Sequence, residues 1–246
     1  MPEPLLEVKG LKVRFTTEDG LVRAVDGVDF ELERGKVLGI VGESGSGKSV
    51  TAMTLLGLTR DQNASFEGEV VYKGQDVLTM PESRLRDIRG NEIAMIFQDP
   101  MTSLNPVYRV GQQIVEAIVA HESISKQQAK RRTIGLLKQV GIPSAEERVD
   151  AFPHELSGGM RQRAMIALAL SCNPDIVIAD EPTTALDVTI QAQILALLDN
   201  LRAEFDSAVI LITHDLGVVA SIAHDILVMH FHGGHANEKG SCDLFV

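Results

Sequence analysis

The 246-residue chain contains no tryptophan, and aromatic residues make up only 4% of it. Aliphatic side chains must therefore build its core. Two cysteines, Cys172 and Cys242, are too few for a disulfide framework, so a reducing compartment is expected. No run of about 18 uninterrupted apolar residues occurs, so no membrane-spanning helix is expected. The start, Met1-Pro2-Glu3-Pro4, has no basic segment leading into an apolar one, so it does not read as a signal peptide. Acidic residues outnumber basic ones by 34 to 23, for a formal net charge of −11. That balance argues against a general nucleic-acid surface, which needs clustered lysine and arginine. What is present is a hydrophobic fraction of 44%, ordinary for one soluble unit or one core with an inserted lobe.

Periodicity supplies the coarse structure. Leu5 to Phe15 alternates apolar and polar, as does Leu21 to Leu32, and a turn at Gly20 joins them as a hairpin. Lys36 to Val41 reads as a buried strand ending in a glycine-rich loop, followed by a helix from Ser49 to Leu58. Phe66 to Tyr72 reads as a further strand. From residue 99 to 157 the pattern turns helical, with stretches Gly111 to His121 and Ser125 to Val140 broken by Gly141-Ile142-Pro143 and Phe152-Pro153. Then follow a helix from Gly158 to Leu170, a buried strand from Ile176 to Ala179 and a helix from Val188 to Phe205. That helix has Asp187 as its N-cap and Ile190, Ile194, Leu197, Leu198 and Leu201 at helical spacing. Strands follow at Ala208 to Thr213 and Ile226 to Met229. Strands alternating with helices predict an α/β fold with a mostly parallel sheet covered on both faces.

Several short segments carry chemistry. Gly42-Glu43-Ser44-Gly45-Ser46-Gly47-Lys48-Ser49, with Val50 next, fits a phosphate-binding loop. Its glycines let backbone N–H groups turn inward, and the helix that follows adds a favourable dipole. Lys48 would reach the β- and γ-phosphates and the Ser49 hydroxyl would ligate Mg²⁺. A chance glycine-rich turn is the plain rival, but the strand before and helix after the loop disfavour it. Ile176-Val177-Ile178-Ala179 delivers Asp180 to a magnesium shell, and Glu181 stands where it can polarise an attacking water. Alone, an Asp-Glu pair is commonly a strand-end turn. His214 follows a strand whose carboxyl end faces the ligand in such sheets, so it can hydrogen-bond the γ-phosphate; otherwise it is a polar cap. Gln98 follows the apolar run Ile93 to Phe97, where an amide can ligate Mg²⁺ or hold the water, and report on the γ-phosphate to the helical lobe. Ser157-Gly158-Gly159, with Met160, opens a helix as a cap with room for a phosphate. One chain already has a phosphate site at Lys48, so this second one would complete the ATP site of another subunit.

Together these segments resemble ABC transporter ATP-binding subunits over essentially the whole chain. Gly42 to Ser49 matches Walker A, Gln98 the Q-loop, and Leu156 to Met160 the signature motif. Asp180 and Glu181 match Walker B and the catalytic glutamate. Thr184-Ala185-Leu186-Asp187 matches the D-loop, His214 the switch histidine and Phe15 the aromatic that stacks on adenine. The runs Phe97 to Pro106 and Pro153 to Arg163, including methionine at 160, are similar to the dipeptide, oligopeptide and nickel branch.

The resemblance implies one ATPase domain over 1–246. Residues 1–98 and 158–246 would form the nucleotide-binding core, with an antiparallel N-terminal β subdomain, and 99–157 an inserted helical subdomain. It implies ATP and Mg²⁺ as cofactors. It implies as partners a second ATPase subunit (a heterodimer), two membrane permeases and an extracytoplasmic solute-binding protein, with no nucleic acid. The place of action would be the cytoplasmic face of the inner membrane, peripherally. Peptide cargo leads, with nickel or another small solute as the alternative. A DNA-repair ATPase is disfavoured because the insert lacks sustained heptads and cysteine pairs. A translation factor is disfavoured because only one cassette is present and the chain is acidic. A non-hydrolysing regulatory subunit is disfavoured by Lys48, Glu181 and His214. The tail residues His230, His232, His235 and Cys242 read more simply as a solvated turn than as a metal site. Lys126, Lys130, Arg131 and Arg132 read as a solvated helix face.

Overall fold

The computed structural model describes residues 3–18, 20–99, 103–183, 188–230 and 243–245. In chain order the elements are β1 (Leu6–Thr17), β2 (Gly20–Leu32), β3 (Val37–Gly42), α1 (Lys48–Leu55), β4 (Ala64–Tyr72), β5 (Gln75–Asp76), α2 (Glu82–Ile88), β6 (Ile93–Ile96), α3 (Val110–His121), α4 (Lys126–Gln139), α5 (Ala145–Arg148), a 3-10 turn (Pro153–Glu155), α6 (Gly158–Ala169), β7 (Ile176–Asp180), α7 (Val188–Phe205), β8 (Ala208–Thr213), α8 (Leu216–Ile222), β9 (Asp225–Met229) and β10 (Asp243–Phe245). They form two compact units, Met1–Ile88 with Ala208–Val246, and Arg89–Ser207.

The first unit holds an antiparallel sheet in the order β2-β1-β4-β5. Leu6, Val8, Leu11 and Val13 of β1 and Val25, Val28, Phe30 and Leu32 of β2 are buried. Twofold alternation produces this, interrupted where the register shifts between Val8 and Leu11, so that the apolar face stays inward. The unit also holds β3 flanked in parallel by β8 and β9, with β10 antiparallel on β9. All six residues of β8 are buried, the pattern of a strand covered on both faces. Helix α8 lies on β3. Val219 is fully buried, and its Cγ1 lies 2.1 Å from where a Cβ at Gly39 would stand, so the helix needs glycine there.

The second unit pairs β6 and β7 in parallel, with Ile93 opposite Ile176 and Ile96 opposite Ala179. Its helix α3 buries Val110, Ile114 and Ile118, a spacing of four that defines one face. Helix α4 opens on a capping box, with Ser125 Oγ accepting from Gln128 N and Gln128 Oε1 accepting from Ser125 N. That satisfies two otherwise orphaned groups. On its outer side the exposed Lys130 pairs with Asp150, as on a solvated basic face, whereas Arg132, paired with Glu122, is half-buried. In α7, Ile194, Leu198 and Leu201 are buried as their spacing predicts. Leu195 is buried too, whereas Ile190 and Leu197 are only half-buried.

The structure differs from the periodicity at some ends. The helix expected to reach Leu58 stops at Leu55, with Leu56 as its C-cap. Gly57 then turns at φ 63°, a left-handed exit that ends a helix. Periodicity does not predict β5, α2, β6, α5, the 3-10 turn, α8 or β10. Each has seven residues or fewer, too short for a periodic signal.

Candidate functional site

In the first unit the predicted phosphate loop links β3 to α1. Gly47 is the N-cap of α1 in left-handed conformation, φ 94°. A Cβ there would stand 2.2 Å from the carbonyl oxygen of Ala24, so both backbone and space demand glycine. Lys48 is only 6% exposed. Its ammonium donates to Gly42 O at 2.8 Å, Glu43 O at 2.7 Å and Ser46 Oγ at 3.5 Å. The loop thus curls around its own lysine and holds the charge at the start of a helix, where N–H groups already favour an anion. Glu43, Ser44 and Gly45 are exposed, while Ser49 and Val50 are half-buried.

His214 lies just past the end of β8. Val41 of β3 and Thr213 of β8 share a rung, so Gly42 and His214 are the next residues beyond it on the same edge. Met229 of β9 pairs with Gly42, which places His230 one residue past that edge too. His214 is exposed and is followed by Asp215, whose Oδ1 accepts from Gly217 N at 2.8 Å and caps α8. The histidine therefore stands between a buried strand and a capped helix.

Phe15 is half-buried on β1. Its partners across the sheet are Val22 on β2 and Ala64 on β4. Leu21 and Val22 are 58% and 49% exposed, so Phe15 belongs to an open apolar rung. Sequence reading missed Val22. The available signal was an apolar pair at a hairpin tip, where polar residues are ordinary. Beside this rung Arg14 donates to Glu67 at 2.6 Å, and that hydrogen bond, with the guanidinium's charge, holds the Glu67 carboxyl below the usual range.

In the second unit the shared register of β6 and β7 sets the geometry. Gln98 and Glu181 each lie two residues beyond the Ile96–Ala179 rung, and Gln98 Nε2 donates to Glu181 Oε2 at 3.0 Å. Asp180, last residue of β7, is 7% exposed. Glu181 has φ 45°, a left-handed conformation that costs a non-glycine residue about 1–2 kcal/mol. Next, Pro182 offers its carbonyl to Nε2 of the buried Gln162 at 2.6 Å. Gln162 is a second residue that sequence reading passed over. It stood inside a quoted motif, but nothing in its spacing marked it as buried.

Ser157 is the N-cap of α6, with Oγ accepting from Met160 N at 3.3 Å. Ser157 and Gly158 are exposed, Gly159 and Met160 half-buried. Among the described residues a Cβ at Gly158 would meet nothing within 4 Å, so their packing does not require that glycine. The helix is braced behind by Arg163, which donates to Val140 O at 2.6 Å and to Gln193 Oε1 at 3.1 Å. The predicted D-loop residues Ala185, Leu186 and Asp187, with the Asp187 cap, lie outside the described residues, as do His232, His235 and Cys242.

Among the described residues no group of three or more His, Cys, Asp or Glu side chains is placed to hold a metal ion by itself. No helix among them is long and apolar enough to cross a membrane. Cys172 is buried, and burial pushes its thiol up, partly offset by a hydrogen bond with Ser171.

Comparison with known proteins bears on these features together. The ABC transporter family model matches residues 25–184. The oligopeptide transport ATP-binding protein OppD of Bacillus subtilis is 54% identical over 97% of this chain and 66% of its own length. OppD of Haemophilus influenzae is 51% identical over 98% of this chain and 73% of its own. The dipeptide transport ATP-binding protein DppD of Lactococcus lactis is 54% identical over 98% and 69%. The chain thus spans about two thirds of the length of the relatives it matches. Among solved structures, the dimeric bacterial ABC transporter cassette MJ0796 aligns with a TM-score of 0.80 at 27% identity, over 92% of this chain and 94% of that one. A post-hydrolysis dimer of the same cassette, bound to ADP and Pi, aligns with a TM-score of 0.81 at 27% identity, over 92% and 96%.

Proposed function

The chain belongs to the ABC transporter family, and from that premise we propose that it is the ATP-hydrolysing subunit of a peptide importer. The observation that carries the reading is the likeness of 97–98% of the chain to ATP-binding proteins named for oligopeptide and dipeptide transport.

In this reading the loop Gly42 to Ser49 wraps the phosphates, and Lys48 leaves its loop carbonyls to meet them. Phe15, with Val22 beside it, offers a flat apolar bed to adenine. Asp180, Ser49 and Gln98 supply a carboxylate, a hydroxyl and an amide oxygen. These are hard oxygen donors of the kind magnesium selects. The ion when bound spreads and neutralises the phosphate charge. Glu181 takes a proton from the attacking water, and His214 holds the γ-phosphate by a hydrogen bond. Ser157 to Met160 serves the ATP of a second subunit. An open Gly158 supports that role, because no described residue of the chain fills the space.

The second subunit is a different ATPase, so the working pair is a heterodimer. Two permeases and an external binding protein complete the importer, and the chain sits peripherally on the cytoplasmic face of the membrane. The helical segment 99–157 takes a cytoplasmic helix of a permease near Val107 and Tyr108, both exposed. Cargo selection belongs to the permeases and the binding protein.

A tagged pull-down from gently solubilised native membranes tests this. Recovery of two permeases, a second ATPase and a peptide-binding protein is expected. Recovery of ribosomes or DNA-bound partners, or a chain found only in the soluble fraction, would overturn transport and leave the ATPase standing. A nickel-binding protein in place of the peptide-binding one would overturn the cargo alone.

A further inference from the structure

Gln162 lies one turn into α6, 2% exposed, with its amide on the carbonyl of Pro182. A buried amide bonded to a backbone carbonyl fixes both ends, since neither finds water if the bond breaks. The carbonyl it grips belongs to Pro182, the residue after Glu181. Glu181 is left-handed at φ 45°, and the residue before a proline ordinarily favours extended backbone. Local preference opposes this conformation twice, so the surrounding structure imposes it. Arg163, the next residue along α6, ties the helix to Val140 O and Gln193, which makes α6 a firm mount.

We propose that Gln162 is a positioning residue for ATP hydrolysis: through Pro182 it holds the turn that aims the Glu181 carboxylate, and it links the signature helix to that turn within one chain. The inference rests on the catalytic role given to Glu181 above. It has a mechanical consequence. The N-terminus of α6 is the end that meets the other subunit's nucleotide. A shift of α6 is therefore passed through one hydrogen bond to the glutamate serving this subunit's own nucleotide.

The test uses the chain assembled with its partner ATPase, in the parent form and as three variants. Gln162→Met keeps length and packing but has no donor. Gln162→Glu can donate to the carbonyl only when protonated. Glu181→Gln checks the underlying role. Gln162→Met should lower kcat about tenfold, since small misplacements of a catalytic group are costly, while KM for ATP stays within about twofold. Gln162→Glu should be equally slow at alkaline pH and recover as pH falls, relative to Gln162→Met at each pH. Recovery confined to kcat, with KM for ATP and melting temperature level across the same pH range, is a signature a purely structural role would not give. Unchanged kcat in Gln162→Met would overturn the proposal. So would a joint loss of kcat, ATP affinity and melting temperature with no low-pH recovery in Gln162→Glu. If Glu181→Gln is inactive while Gln162→Met is normal, Gln162 alone has been misassigned. If Glu181→Gln turns over normally, the catalytic reading of Glu181 fails, and this inference with it.

Discussion

The side-chain amide of Gln98 sits on the carboxylate of Glu181, Nε2 to Oε2, at 3.0 Å. A neutral donor on that oxygen orients the group and leaves its charge intact. Replacing the amide by a carboxylate reverses this. In Gln98→Glu two acids would face each other at hydrogen-bond distance, and like charges disfavour ionisation. The base form of the pair then appears only at higher pH. We expect the acid limb of the kcat profile to move to higher pH than in the parent chain. A pH–rate series with saturating ATP measures it, and an unmoved limb would separate Gln98 from the chemistry.

Glu181→Gln removes the base and keeps the shape. Turnover should fall at least about a hundredfold, the usual share of a general base. ATP should still bind and trap a closed pair with the partner ATPase. Phosphate release and size-exclusion chromatography with ATP report the two halves; normal turnover would remove Glu181 from its role.

Two glycines should respond oppositely to alanine. At Gly47 the new Cβ meets the Ala24 carbonyl at 2.2 Å with φ 94°. Strain of this kind costs about 1–3 kcal/mol, so Gly47→Ala should lower the melting temperature and lose nucleotide binding. At Gly158 the space is open. There alanine should leave melting unchanged or raise it slightly, by up to about 1 kcal/mol of helix propensity, while turnover falls. Equal melting losses for both would contradict the geometry.

Phe15→Ala removes the larger part of an open rung without opening the core. ATP affinity should drop by about 0.5–1.5 kcal/mol, the range for an aromatic pair, and melting should hold. Pyrophosphate, which has no base to stack, should compete equally well in both proteins. A loss for both ligands would place Phe15 in the fold's stability.

Cys172 should be slow to alkylate. Burial raises its thiol, and only the thiolate attacks. In a Cys242→Ser background, iodoacetamide labelling followed by mass spectrometry should begin at more alkaline pH than for a free thiol. Fast labelling at neutral pH would mean that the residue opens readily.

Much of the fold was legible from the chain alone. The continuous apolar runs of β3, β7 and β8 announce buried parallel strands, and the hairpin of β1 and β2 announces itself by alternation. The limits of α7 match its periodicity from Val188 to Phe205. Short elements such as α2 were invisible because seven residues hold too few repeats. The motif residues could be named because glycine, lysine and paired acids stand in a fixed order beside recognisable strands. Gln162 could not, because its partner is a backbone carbonyl twenty residues away, and no side chain records that pairing. Nor could the left-handed turn at Glu181. Sequence preference before a proline points elsewhere, and tertiary structure overrides it.

The β6–β7 ladder acts as a ruler. Gln98 and Glu181 are each counted off two residues from one rung, so their spacing belongs to the hydrogen-bond register of the strands. A one-residue slip of either strand would turn its side chain to the opposite face of the sheet and break their meeting completely. A single residue added within β6 or β7 should therefore abolish the Gln98–Glu181 hydrogen bond. The two strands thus hold the Gln98–Glu181 contact to a fixed count of residues.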